Sequence, residues 1–125
     1  MPRNGFNAPG GASIGAFSNV VVIDGFYYLS GQVACDPPSS AIVLGTITEQ
    51  TGQCFANLIA VLEAAGLALD NVIKCNTYLT DMKDFDEYDA AYRSFFAEPY
   101  PARTTVQVAA LPMGANIEIE MVAHA

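Results

Sequence analysis

Histidine is almost missing from this 125-residue chain; its one example, His124, is the penultimate residue. Ser-His and Cys-His nucleophile pairs and mixed His/Cys zinc sites each need an imidazole inside the fold, so all are excluded. Basic residues are also few. Five Lys and Arg against thirteen Asp and Glu give a formal net charge of −8, and Arg3, Lys74, Lys83, Arg93 and Arg103 are scattered singly. A protein that tracks nucleic-acid phosphates gains affinity from clustered cations, so no nucleic acid is expected as a partner, nor an anionic membrane surface. No apolar run reaches the roughly 20 residues of a membrane span; the longest, residues 58–69, is broken by Glu63 and Gly66. The first residues carry no apolar signal core. Three cysteines with no Cys-x-x-Cys read as reduced thiols in the cytoplasm. Neither a Walker loop nor a dinucleotide fingerprint is present. Carboxylates, an arginine, hydroxyls, thiols and backbone groups are left to do the chemistry, with no metal and no cofactor called for.

What is present suits one domain over residues 1–125. The chain is 52% hydrophobic and only 14% charged. That is more apolar surface than so small a monomer hides, and the excess points to contact between subunits. Residues 19–23 are β-branched and run into Asp24-Gly25, a hairpin signal, with residues 26–34 as the return strand. Residues 36–40, with two prolines and two serines, read as a loop. Thr46 and Glu49 have the spacing of a capping box. Cys54, Leu58, Val61, Leu62 and Ala65 come next at helical spacing, and Gly66 stands where a C-terminal cap belongs. Residues 72–80 alternate as a strand. Asp84 or Asp86 caps a second helix with a stripe of Tyr88, Tyr92, Phe95 and Phe96, ended by Pro99 and Pro101. Residues 104–110 and 116–124 are strands joined by a tight connection at 111–114. The order ββαβαββ predicts an α+β fold. Two helices cover one face of a mostly antiparallel sheet, and the other face stays apolar and bare without a partner.

Arg103 opens a strand after a Pro-x step, where a side chain can be aimed at a cleft mouth. Its planar guanidinium matches a carboxylate in two-point geometry. The same residue also suits a surface ion pair. Glu118 and Glu120, two apart on a strand, share a face. They suit acid–base work if burial and mutual repulsion raise one of them, and equally suit a solvated sheet face. The residues alone leave both pairs of readings open. Cys54 and Cys75 fall on apolar stripes and read as core. Cys35 lacks a neighbour that would activate its thiol.

A set of segments then fits one family in order and spacing. They are Gly15-Ala-Phe-Ser18, Leu29-Ser-Gly-Gln32, Glu49-Gln-Thr51 leading to Asn57-Leu58, Leu62-Glu-Ala-Ala-Gly66, Val72-Ile-Lys74, and Leu79-Thr-Asp-Met82 with Asp84-Phe85. Pro101-Ala-Arg-Thr-Thr-Val106 and Ile117-Glu-Ile-Glu120 complete it. From about Gly15 to Ala123 the chain resembles the reactive intermediate deaminase family (RidA/YjgF), also labelled endoribonuclease L-PSP. The resemblance implies a chorismate-mutase-like fold, a homotrimer with clefts between adjacent subunits, and no cofactor. It implies hydrolysis of reactive enamine or imine intermediates, of the 2-aminoacrylate kind, to 2-keto acids and ammonia. By the family pattern Arg103 clamps the substrate carboxylate and Glu118 positions or activates water. Thr105 lies by its backbone beside the imine nitrogen, Ser30 and Gly31 line the cleft, and Phe17 packs over the substrate. The family's other label suggests a ribonuclease or translation inhibitor, and a module that merely binds small carboxylates is a further alternative. Four positions depart from the pattern. Phe17 replaces Tyr and Ala16 replaces Pro, Thr105 stands where some members have Cys, and Asp89 replaces Asn, bringing an extra negative charge towards the cleft.

Overall fold

The computed structural model describes residues 3–8, 15–36, 41–43 and 45–125. Its strands are β1 (Asn4–Phe6), β2 (Val20–Ile23), β3 (Phe26–Val33), β4 (Cys35–Asp36), β5 (Ala41–Ile42), β6 (Val72–Leu79), β7 (Ala102–Gln107) and β8 (Ile117–His124). The helices are α1 (Ile47–Ala64) and α2 (Phe85–Arg93). Six strands form one sheet in the order β1-β2-β3-β8-β6-β7, and β4 with β5 makes a small ribbon. All neighbours in the main sheet are antiparallel except β6 and β7.

Local chemistry accounts for most boundaries. Asp24 and Gly25 both have positive φ, at 50° and 79°, the requirement of a two-residue hairpin turn between β2 and β3. In the capping box of α1, Glu49 N donates to Thr46 Oγ1 at 3.1 Å and Thr46 N donates to Glu49 Oε1 at 3.3 Å. Thr48 N, another donor of that first turn, goes to Glu87 Oε2 of α2 at 2.8 Å. The far end closes as a Schellman motif. Leu67 N donates to Leu62 O, Gly66 N donates to Glu63 O, and Gly66 takes φ 75°.

The buried residues of the strands lie on one face, except Val33, which pairs Glu118 on the other. Leu29 of β3 pairs Met121 of β8, while Cys75, Thr77 and Leu79 of β6 pair Met121, Ile119 and Ile117. These join Cys54, Phe55, Leu58, Val61 and Leu62 of α1 and Tyr88 and Tyr92 of α2; all are buried. The Phe55 ring stacks on Phe95 at 4.2 Å between centroids. Cys54 and Cys75 are core, as their spacing predicts, and burial pushes the Cys75 thiol up to about 11. Among the described residues no helix is long and apolar enough to cross a membrane.

Several expectations need correction. The two strands joined by the tight connection at residues 111–114 are not neighbours in the sheet, because β8 inserts between β3 and β6 and leaves β7 at the edge, parallel to β6. Strand β7 starts at Ala102 and ends at Gln107, earlier at both ends than residues 104–110. Helix α2 ends at Arg93, short of the prolines, where Ser94 Oγ donates to Ala91 O at 2.6 Å. Phe95 and Phe96 therefore reach the core from beyond the helix. Strand β1 and the β4–β5 ribbon have no alternating pattern long enough to read. Of the loop read at 36–40, residues 37–40 lie outside the described residues, and Asp36 belongs to β4. The face away from the helices is mixed rather than apolar. Phe26, Tyr28 and Val106 are exposed there, but Lys74, Asn76, Tyr78, Glu118 and Glu120 run polar across its middle.

Candidate active site

The ladder between β3 and β8 slips between Leu29 and Gln32, and Ser30 and Gly31 lie in the slip. Such a bulge bends the strand and re-aims its side chains. Ser30 N donates to Asn19 O at 2.9 Å instead, and Ser30 Oγ donates to Ser18 O at 2.6 Å, tying down the segment that carries Phe17. The start of β8 is fixed separately. Gln50 Nε2 donates to Asn116 Oδ1 at 2.9 Å and Asn116 N returns a bond to Gln50 Oε1 at 3.2 Å. Two residues on, Glu118 faces the bulge. A Cβ at position 31 would lie 2.7 Å from Glu118 Oε2 and 2.9 Å from its Cδ. Glycine there leaves the space that the carboxylate occupies.

Phe17, Asn19, Ser30, Gly31, Cys35, Pro112, Glu118 and Glu120 are among the residues around a cavity of about 550 Å³. Burial, and then the charge of Glu120 on the same face, push the Glu118 carboxyl above its ordinary value. Glu120 is engaged elsewhere: Tyr78 OH and Asn76 Nδ2 donate to its Oε1. That bond, burial and the two carboxylates push the Tyr78 hydroxyl up to about 12. Glu118 is thus the carboxylate left to face the cavity with its proton affinity raised.

Arg103 stands on the other side of the sheet. It pairs across β6–β7 with buried Cys75, so it points to the helix face at the sheet's edge. Its guanidinium lies 4.6 Å from the Tyr92 ring centroid, 5.2 Å from Tyr88 and 5.5 Å from Phe85. Arg103 Nη1 is 2.8 Å from Asp89 Oδ1, and Arg93 Nε is 3.2 Å from Asp89 Oδ2. Asp89 therefore brings no free negative charge to this cluster. Burial opposes its ionisation, but the two arginines hold its carboxyl below the ordinary value. Asp89, Tyr92, Arg93, Tyr100, Pro101 and Arg103 surround a second cavity of about 300 Å³. Thr105 lies on the same face, two residues along. Tyr88 OH donates to Thr77 Oγ1 at 2.8 Å, so the 3.1 Å contact with Thr105 Oγ1 takes its proton from Thr105.

One chain therefore brings Phe17, Ser30, Gly31 and Glu118 together, and Arg103 with Thr105, on opposite faces of one sheet. Asp89's twofold pairing and the Tyr78–Glu120 bond depend on tertiary packing and register. An i, i+4 spacing of Asp89 and Arg93 was the one legible signal. Among the described residues no cluster of His, Cys, Asp and Glu could hold a metal.

The profile of the Endoribonuclease L-PSP family matches residues 7–125. The chain belongs to that family. A human protein named 2-iminobutanoate/2-iminopropanoate deaminase is 42% identical over 93% of this chain and 83% of its own length. A RutC family protein of Pyrococcus horikoshii is 42% identical over 94% and 92%. The crystal structure of RidA from an Antarctic Psychrobacter superposes with a TM-score of 0.87 at 40% identity, covering 91% of this chain and 92% of that one. The L-PSP fold of the chain is thus the one its segments predicted, with β8 as the central strand.

Proposed function

We propose that this L-PSP family chain hydrolyses 2-imino acids, and the enamines that tautomerise to them, to 2-keto acids and ammonia. The observation that carries the reading is Glu118, a carboxylate of raised proton affinity over a glycine-made space in a chain akin to named imine deaminases. Water adds to the C=N carbon as Glu118 takes its proton and passes it to the nitrogen; the hydroxyl of the adduct then gives its proton to the amine through the same carboxylate, and the C–N bond breaks to leave ammonia and the carbonyl. An imine is already electrophilic, so alignment of one water is a large part of the task. A carboxylate base of raised pKa adds about 10²–10⁴-fold.

Arg103 is the clamp for the substrate carboxylate, with the backbone of Thr105 beside the nitrogen and Phe17, Ser30 and Gly31 around the rest. Because Arg103 and Glu118 face opposite ways, a site that uses both needs two copies. Edge strand β7 of one copy meets the cavity of the next, in a homotrimer with three such clefts. The exposed Phe17, Tyr28, Tyr100 and Val106 supply apolar surface for that contact. Three free cysteines suit the cytoplasm. A net charge of −8 weighs against the nuclease in the family's name.

The test is complementation. Arg103→Ala removes charge-assisted bonds worth about 1.5–3 kcal/mol, or one to two powers of ten in affinity; Glu118→Gln removes the base. Each variant alone should be nearly inactive in release of 2-keto acid from 2-aminoacrylate made in place by a serine dehydratase. Unfolded, mixed one to one and refolded, they should recover about a quarter of wild-type rate, since random cyclic assembly pairs an intact Arg103 with an intact Glu118 that often. Mixtures as inactive as their parts would exclude a shared site, and an active Arg103→Ala would exclude the clamp.

A further inference from the structure

The cluster around Arg103 contains more than a carboxylate clamp needs. Arg103 is already paired, by Asp89 at 2.8 Å, while the same carboxylate has a second cation, Arg93, at 3.2 Å. Two arginines and one aspartate leave the group one positive charge in excess, which matches one incoming carboxylate. The cavity beside them, about 300 Å³, has room for the acid end of a small molecule. Tyr92 lines that cavity and is only 3% exposed, with its hydroxyl turned to the buried Cys75 thiol.

We propose that Asp89 sets the strength with which this site holds a monocarboxylate. It competes with the substrate for the Arg103 guanidinium, and Arg93 holds it when the substrate takes its place beside Tyr92. The inference rests on the reading of Arg103 as the substrate clamp. Asp89 and Arg93 act through Arg103 and are positioning residues. With Arg93 present, Asp89 gives up one of two partners when substrate binds. Without Arg93 it would give up its only one. A site so arranged holds its acid weakly enough to release a keto-acid product, at some loss of substrate affinity.

The experiment measures calorimetric binding of 2-ketobutyrate, and of its uncharged amide as a control, together with KM and kcat for imine hydrolysis. Asp89→Asn should tighten 2-ketobutyrate and lower KM by roughly tenfold, the scale of one charge-assisted contact. Binding of the amide should not tighten, and kcat should change less than KM. Asp89→Ala carries the same sign and serves if the first variant folds poorly. Arg93→Ala should weaken 2-ketobutyrate in the wild-type background and have no effect once Asp89→Asn is present, a coupling that simple loss of helix stability would not produce. If Asp89→Asn and Asp89→Ala bind the keto acid no more tightly while Arg103→Ala abolishes binding, competition is refuted and the clamp stands. If Arg103→Ala binds like wild type, the clamp itself falls, and this proposal with it.

Discussion

Replacing Gly31 by alanine puts a methyl group where the Glu118 carboxylate lies. The added Cβ would stand 2.7 Å from Oε2, 2.9 Å from Cδ and 3.1 Å from Cγ, against about 3.5 Å for comfortable contact. Something must move by roughly 0.5–1 Å, and the mobile partner is the end of a glutamate side chain rather than the paired backbone of β8. Gly31 does not have positive φ, so alanine carries no backbone penalty there. Stability should accordingly change little. Catalysis should not be spared, because displacing a reacting group by about 1 Å costs about 10²-fold. The expected result is a kcat reduced by that factor, with 2-ketobutyrate binding retained and a melting temperature close to wild type. The coupled dehydratase assay, a binding titration and a thermal melt on one preparation measure all three. A folded Gly31→Ala enzyme with wild-type kcat would show that the carboxylate position opposite the bulge does not matter, and would refute water activation by Glu118.

Gly52 lies inside α1 with nothing within 4 Å of an added Cβ; Gly52→Ala should stabilise by about 0.5–1 kcal/mol, a rise of a few degrees in melting temperature with activity unchanged. Glu118 must be ionised to accept a proton, so kcat/KM should fall as pH drops through its raised pKa. Glu120→Gln removes the neighbouring negative charge, eases that ionisation and should move the acid limb to lower pH; an unmoved or raised limb would contradict the repulsion. Asn57 Nδ2 donates to Cys35 O at 2.7 Å and Val33 O at 3.3 Å beneath the cavity wall. Asn57→Ala should cost about 1–3 kcal/mol by leaving buried carbonyls unpaired, read as a lowered denaturation midpoint.

The features legible in the sequence are those governed by neighbours along the chain. The Asp24-Gly25 turn, the Thr46–Glu49 box and the Gly66 cap are each decided within a few residues, and each forms as its chemistry requires. The same holds for Glu118 and Glu120, whose shared face comes from strand geometry. The partner of a strand is decided at longer range. Nothing between Gln107 and Ile117 signals that β8 crosses to the far side of β6, since a short connection between two strands ordinarily makes a hairpin. Arg103 illustrates the second limit. Its strand position was legible, but its face depends on register with Cys75, and its engagement depends on where α2 places Asp89.

The insertion of β8 also has a consequence for how the chain is made. The first three strands of the main sheet and the β6–β7 pair each join the sheet's centre through β8, so during synthesis they wait as two unfinished ribbons on either side of a gap. The edges of β3 and β6 that will receive β8 are then open to other strands, the condition under which nascent chains associate wrongly. Closure comes only when residues 117–124 have cleared the ribosome, and it is a long-range event that must bridge most of the sequence to reach β3. The strand that carries Glu118 is therefore the one that joins the two parts of the sheet, and the proposed base takes its place as they meet.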